Sequence, residues 1–207
     1  AIMEPHIVDG KDKGGYSFVV KVYVEGQGTL NLAEDITLRG KALAIFESGI
    51  YRRARKGIDD AFNILVKFLD KKSPKRYFIK QVDIDVFGFS RGAATARHAI
   101  HVMTTGETIA NHPLLLERFR LRGYAEMSKK RIKIVFAGLY DTVVSVNASQ
   151  LAPAWLANNA RDQRAVAKAE FALHLAAADE HRLDFPLHRI TSSIKKGKGA
   201  EYYFPGV

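Results

Sequence analysis

Three residues near the middle of the chain have the types and spacing of a serine nucleophile in a tight turn. Gly88, Ser90 and Gly92 form a G-x-S-x-G motif. In such an elbow the serine lies on a sharp strand-to-helix turn, and we expect the two glycines to remove side-chain clashes there. The N–H groups of the following helix point to the place where negative charge develops in acyl transfer. The motif therefore predicts a nucleophilic role for Ser90.

The sequence on either side of the motif fits a strand-to-helix turn. Residues 81–87 alternate, with Val82, Ile84 and Val86 against two aspartates, which predicts a strand. Residues 93–100 are small or helix-forming and predict a helix packed tightly on a sheet. The alternative is an ordinary connection in an α/β protein, in which Ser90 only caps the helix.

Asp141 is the best candidate for the acid that would orient a catalytic histidine. Residues 131–137 predict a second buried strand, and Asp141 follows it closely. Functional side chains collect at the carboxyl ends of strands in an open α/β sheet. The order of serine before aspartate is that of α/β-hydrolases. The alternative is that Asp141 caps a turn through its side chain.

The base is harder to assign from the sequence. The histidines after the candidate acid are His174, His181 and His188. His174 falls in the alanine-rich residues 161–178, which predict a helix, so we expect a packed core residue. The other two carry no distinguishing context. His98 and His101 come before Asp141 and break the expected order.

The remaining patterns indicate the fold class. The further predicted elements are strands over 16–24, 185–190 and 201–204 and a helix over 50–69. Strands alternate with helices, which predicts an α/β fold with a mainly parallel sheet and helices on both faces. No repeat or domain boundary interrupts the chain, so we expect residues 1–207 to form one domain.

Composition narrows the range of functions. The chain has 207 residues, a net charge of +10 and no cysteine, which excludes disulfides, thiolate catalysis and cysteine-ligated metals. No run of 18 apolar residues predicts a transmembrane helix. The basic charge favours anionic partners such as lipid headgroups, nucleic acid or an acidic protein. No nucleic-acid-binding motif accompanies it, so we do not expect nucleic acid as a partner.

Several segments together resemble a known protein family. They are residues 23–29, 87–97, 136–143, 174–182 and 185–187. These segments are similar to the antibacterial phospholipase effectors of bacterial type VI secretion, which have an α/β-hydrolase core and a Gly-Phe-Ser-Arg-Gly elbow. The resemblance extends from about residue 23 to residue 207.

The resemblance implies a role for each candidate residue. Ser90 would be the nucleophile, Asp141 the acid, and the backbone N–H of Arg91 one donor of the oxyanion hole. Neither a metal nor an organic cofactor is implied. The substrate class would be the acyl esters of membrane glycerophospholipids.

The resemblance also has an implication for the two ends of the chain. In the family, the string similar to residues 203–207 is followed at once by the histidine of the triad. We therefore expect the base just after Val207, outside this sequence. The family's first strand would come before Ala1, so the chain resembles a catalytic domain that is incomplete at both ends.

The family resemblance implies partners and a location as well. Such effectors are made in the bacterial cytoplasm, bind a secretion spike protein and act at the periplasm and membrane of a target cell. An immunity protein protects the producing cell. Two alternatives remain open: a carboxylesterase or thioesterase on the same fold, and a catalytically silent basic binding domain.

Overall fold

The computed structural model describes residues 8–9, 18–25, 47–71, 81–105, 132–143, 164–179 and 187–205. The described helices and strands are, in chain order, β1 (Val8–Asp9), β2 (Phe18–Val19), α1 (Glu47–Lys71), β3 (Val82–Phe89), α2 (Arg91–Thr105), β4 (Ile132–Tyr140), a short 3₁₀ helix (Ala165–Lys168), β5 (Phe171–Ala177) and β6 (Gly199–Phe204). No helix in these ranges is both long and apolar enough to cross a membrane.

The centre of the fold is a four-stranded sheet in the order β3-β4-β5-β6, with every neighbouring pair parallel. Phe89 pairs with Tyr140, and Tyr140 pairs with Leu175. The carboxyl ends of β3 and β4 therefore lie side by side, and the α/β class with a parallel sheet is confirmed. Strands β1 and β2 form a separate antiparallel pair.

The hydrophobic core lies between the sheet and the two helices. Helix α1 buries Ala54, Ile58, Phe62 and Leu65, at the three- and four-residue spacing that predicts its inner face. Helix α2 packs on β3 and β4, and α1 packs on α2. The alternate apolar residues of β3 pack against this same cluster, as the sequence predicts.

The two described helices lie on one side of the sheet. On the other side, Phe87 and Phe171 are exposed, and Phe136 lies between them at ring-centroid distances of 5.6 and 6.3 Å. The second layer of helices that the sequence pattern predicts is not among the described elements. The described part of the chain therefore contains the sheet and one of its two expected layers.

The predicted helix over 161–178 is wrong within the described residues. Residues 165–168 form a 3₁₀ turn, and 171–177 form strand β5. Ala172, His174 and Ala176 are buried while the residues between them are more exposed, so burial repeats every second residue. The helix propensity of alanine yields here to sheet pairing on both sides of the strand.

The predicted strands differ from the structure mainly in their ends. The predicted strand 131–137 continues to Tyr140, and the predicted strand 201–204 begins earlier, at Gly199. Only Phe18–Val19 of the predicted strand 16–24 is a strand among the residues described there. The predicted strand 185–190 is reduced to one antiparallel bridge between Leu187 and Val143 among its described residues.

Replacement of Phe62 by alanine tests the packing of α1. The side chain is 4% exposed, so its loss leaves a large cavity. We expect the free energy of unfolding to fall by about 3–5 kcal/mol in denaturant titrations. The exposed neighbour Asn63 is the control, and Asn63→Ala is expected to change stability by less than about 0.5 kcal/mol. Equal effects of the two variants would contradict the assignment of the buried face.

Candidate active site

Ser90 occupies the turn between β3 and α2. Its φ angle is 54°, in the left-handed region that non-glycine residues rarely adopt. The Ser90 N–H donates to the Tyr140 carbonyl at 2.8 Å, and the Ser90 carbonyl accepts from the Ala93 N–H at 3.0 Å. The first bond ties the turn to β4 and the second begins the helix, so Ser90 lies in the strained strand-to-helix turn that the motif predicts.

The two glycines of the motif have different environments. A Cβ atom on Gly88 would lie 2.3 Å from the Gly92 carbonyl oxygen and 2.6 Å from the Ala93 nitrogen, so β3 and α2 approach closely only because residue 88 has no side chain. A Cβ on Gly92 would have no atom within 4 Å. The expectation that Gly92 removes a clash of its own is therefore wrong, because a Cβ at residue 92 would point into open space. Instead, the absence of a side chain at Gly88 makes room for the backbone of Gly92.

Asp141 begins a second strained turn, directly after β4. Its φ angle is 50°, and its N–H donates to the Leu175 carbonyl at 2.8 Å. Its carboxylate oxygen Oδ1 accepts from the Ala177 N–H at 3.0 Å. In the alternative role, the Asp141 side chain would cap its own turn. These bonds do not form such a cap, because both partners belong to the neighbouring strand β5.

The two turns are adjacent. The Ser90 N–H bonds to Tyr140, the residue before Asp141, and the Val143 N–H bonds back to the Ser90 carbonyl at 3.4 Å. Ser90 and Asp141 are also the two non-glycine residues with positive φ among those described. Left-handed residues of this kind cost energy and concentrate at functional sites. The structure therefore brings together the two residues that the sequence singles out.

Arg91 is the first residue of α2, so its backbone N–H belongs to the group of donors that a helix leaves without intrahelical partners. The positive end of the helix dipole lies at the same place. An oxyanion formed beside Ser90 would meet a favourable field there. Among the described residues, no three histidine, aspartate or glutamate side chains come together as a group that could hold a metal ion.

The described histidines are His98, His101, His174 and His188, and the last two bond to Thr142, the residue after Asp141. None of them is hydrogen-bonded to Ser90 or Asp141. His98 and His101 are buried in α2, where their rings are 6.3 Å apart. His188 is half-buried and donates its backbone N–H to the Thr142 carbonyl at 2.9 Å. His181 lies outside the described residues.

His174 is buried, as expected, but on strand β5 rather than in a helix. Its Nδ1 lies 3.0 Å from Glu201 Oε2 on β6, and its Nε2 accepts from the Thr142 N–H at 3.2 Å. Burial lowers its pKa, which the hydrogen bond and charge of Glu201 offset in part. His174 is therefore neutral near pH 7 and connects two strands.

Two charged residues near the site are absent from the sequence-based assignment. Arg97 on α2 is 1% exposed and donates to the His188 carbonyl at 2.9 Å and the Arg189 carbonyl at 3.3 Å. Burial lowers its pKa to about 10, although the negative charge of Glu201 opposes this. The sequence does contain a signal for this role. Arg97 lies four residues after Ala93 and three before Ile100, and this spacing places a cation on the apolar face of the helix.

Glu201 is the anionic counterpart. Burial alone would raise its pKa, but hydrogen bonds from the Ile190 N–H, Tyr203, His174 and Thr191 lower it to about 2. The carboxylate is therefore ionised throughout the physiological range. The sequence pattern of β6 does not predict this role, because three of the four donors come from residues 190–191 and from β5.

Comparison with known proteins adds one informative similarity. No protein-family model and no curated protein matches the chain. The chain is similar to a solved structure of the Tle1 effector bound to the VgrG spike from the type 6 secretion system, with 27% identity and a TM-score of 0.56. The match covers 80% of this chain and 31% of that one. The chain thus shares its α/β fold with a type 6 secretion effector and spans less than a third of its length.

A second similar structure is an uncharacterized protein from Pseudomonas aeruginosa, with 21% identity and a TM-score of 0.40. That match covers 78% of this chain and 23% of the other. A likeness at this level carries no argument about the site.

The contrast between the two glycines is a direct test of the turn. Gly88→Ala is expected to unfold the protein or to lower its melting temperature by many degrees, because the new Cβ would overlap backbone atoms. Gly92→Ala is the matched control and is expected to retain or raise stability, since alanine favours a helix by about 1 kcal/mol over glycine. Thermal unfolding of both variants measures this. Similar melting temperatures would contradict the described turn.

Glu201 makes stability depend on pH. Its pKa of about 2 lies below the ordinary 4.5, so its contribution is complete above pH 4.5 and is lost as the pH falls towards 2. The loss is about 3 kcal/mol across this window. In Glu201→Gln the free energy of unfolding should fall less steeply between pH 4.5 and 2. Glu170→Gln, at a side chain that is 47% exposed, is the control. Parallel curves for wild type and Glu201→Gln would contradict the assignment.

Proposed function

We propose that this chain belongs to the catalytic domain of a serine hydrolase that cleaves acyl esters of membrane glycerophospholipids. The observation that carries the proposal is the adjacency of Ser90 and Asp141 in two left-handed turns at the ends of neighbouring parallel strands. The similarity to the Tle1 effector supports the same conclusion. We treat residues 1–207 as one domain of this enzyme.

The proposed reaction begins with attack of Ser90 Oγ on the ester carbonyl carbon. A histidine base takes the serine proton, and the tetrahedral oxyanion accepts a hydrogen bond from the Arg91 N–H. Collapse breaks the ester bond, and the histidine returns the proton to the departing alcohol oxygen. Water then releases the fatty acid from the acyl-serine by the same steps.

Asp141 is the residue we assign to orient the base and stabilise its charged form. Among the described residues, the hydrogen bond that its carboxylate accepts goes to Oδ1, so Oδ2 is the oxygen we assign to the histidine. The Asp141 charge would hold the imidazole in the tautomer that can accept the serine proton.

The base in this proposal is a histidine that follows Val207, as the family resemblance implies. The position of β6 supports it. Asp141 Oδ1 accepts from the Ala177 N–H, and the next residue, Ala178, donates its N–H to the Phe204 carbonyl at the end of β6. The end of β6 at Phe204 therefore lies near the Asp141 carboxylate, at the same edge of the sheet as Ser90.

We further propose an antibacterial role as an effector of type VI secretion. The partners would be a spike protein of the producing cell, an immunity protein and a phospholipid membrane in the target cell. The Tle1 structure contains an effector bound to a spike, which supports the first partner. The net charge of +10 favours an anionic lipid surface. Secretion from the bacterial cytoplasm and action at the target periplasm follow from this role.

Replacement of Ser90 by alanine in the full-length protein tests the nucleophile. We expect release of fatty acid from phospholipid vesicles to fall to background, because no covalent intermediate can form. Asp141→Asn should reduce kcat by about 10⁴-fold, since the base would take the wrong tautomer. The exposed Ser192 offers a matched control, and Ser192→Ala should retain full activity. Undiminished release by the Ser90 variant would overturn the proposal.

The same variants decide the substrate class. Short water-soluble esters and thioesters are compared with phospholipid vesicles at equal ester concentration. The proposal expects the vesicles to be the better substrate. Faster hydrolysis of the short esters by wild type, still dependent on Ser90, would make the protein a carboxylesterase or thioesterase on this fold.

A further inference from the structure

A buried polar network lies next to residues 141–143, which we call the acid turn, and has no part in the reaction described above. The Thr142 N–H donates to His174 Nε2 at 3.2 Å, and the opposite ring nitrogen lies 3.0 Å from Glu201 Oε2. Thr142 and His174 are fully buried, and the Glu201 side chain is 4% exposed. The network joins the residue after Asp141 to strands β5 and β6 and is almost completely shielded from solvent.

The partners of the His174 ring fix the position of its proton. A nitrogen that accepts a hydrogen bond from an amide carries no proton itself, so Nε2 is deprotonated. The proton of the neutral ring is then on Nδ1, which donates to the Glu201 carboxylate. Only this tautomer satisfies Thr142 and Glu201 together, because the opposite tautomer would face N–H against N–H.

Glu201 is itself held in place by several donors. Its Oε2 also accepts from the Ile190 N–H at 2.6 Å. Its Oε1 accepts from the hydroxyl groups of Thr191, at 2.7 Å, and of Tyr203. The carboxylate cannot rotate without loss of these bonds, so it presents a fixed acceptor to His174.

Strand β5 holds the acid turn at three successive points. The Asp141 N–H bonds to the Leu175 carbonyl, and Asp141 Oδ1 bonds to the Ala177 N–H. The third point is the bond from the Thr142 N–H to the His174 ring. In this bond β5 contributes a side chain, whereas in the other two it contributes backbone atoms. The first two use backbone atoms of β5 that every residue type except proline provides, whereas the third requires a hydrogen-bond acceptor in the side chain at position 174.

We propose that His174 is a positioning residue for Asp141 and that Glu201 sets the tautomer which allows it, an inference that rests on the proposed role of Asp141 as the acid. Without the ring acceptor, the buried Thr142 N–H has no partner and the turn must rearrange to find one. The Asp141 carboxylate belongs to the same turn, so it moves with it. A displacement of about 1 Å in a catalytic group is enough to lower kcat about 10²-fold.

The test replaces His174 by phenylalanine, which keeps the ring and removes both nitrogens. We expect kcat on phospholipid vesicles to fall about 10²-fold with KM nearly unchanged. His174→Gln should recover part of this loss, because its carboxamide can accept from Thr142 and donate to Glu201. His101→Phe is the matched control, a second buried histidine about 16 Å along α2 from Ser90, and should leave kcat unchanged.

Two readouts separate positioning from a general loss of structure. In His174→Phe the acidic limb of the pH profile of kcat/KM should move to lower pH, because a displaced Asp141 charge no longer raises the pKa of the base. In the Asp141→Asn background the same replacement should cost less than threefold, since no positioned carboxylate remains to be lost. An unchanged kcat in His174→Phe, or a full 10²-fold loss in both backgrounds, overturns the proposal.

A measurement without turnover separates this inference from the proposed function. Amide hydrogen exchange at Thr142 should be strongly protected in wild type and at least 10-fold faster in His174→Phe, whatever the substrate. Absence of esterase activity with this exchange pattern would refute the function and leave the contact established. Equal protection in both proteins refutes the inference.

If the phenylalanine variant does not fold, His174→Asn replaces it with the same expectations, because its shorter carboxamide cannot bridge Thr142 and Glu201.

Discussion

The site depends on one backbone constraint: two neighbouring parallel strands each end in a left-handed residue that is not glycine. Such a residue costs roughly 1–2 kcal/mol, and the strand pairing around it must supply that energy. At Ser90 the constraint is met by the bond to Tyr140 and by the close approach that Gly88 permits. At Asp141 it is met by the backbone of β5. The pairing of β3, β4 and β5 therefore determines where Ser90 and Asp141 lie.

Two buried charged residues, Arg97 and Glu201, stabilise the elements around the carboxyl ends of the strands. Arg97 binds two carbonyl groups of the segment before β6, and Glu201 on β6 accepts four hydrogen bonds, including one from His174. These groups are too buried to be held by water, so each fixes the element that carries its partner. Helix α2, the acid turn and β6 are joined in this way. The end of β6 at Phe204 is consequently held next to Ala178, one residue after the Ala177 N–H that bonds to Asp141.

Local patterns in the sequence predict the strand, turn and helix around Ser90 and the strand before Asp141, because periodicity and glycine spacing are local signals. They fail at residues 171–177, where alanine suggests a helix but pairing with two strands imposes an extended chain. They also miss Glu201, three of whose four donors lie ten or more residues away in the sequence. They wrongly predict a clash at Gly92, because the direction of its Cβ depends on three-dimensional geometry. Contacts between distant segments are what the sequence alone does not reveal.

The proposed function requires an activated serine in the turn at residue 90. The most direct measurement is the reaction of the full-length protein with a fluorophosphonate, followed by mass spectrometry of its peptides. We predict modification at Ser90 and at no other serine, at a rate that falls sharply in Asp141→Asn. A folded protein that is unmodified at Ser90, or is modified there equally fast without the Asp141 carboxylate, would contradict it.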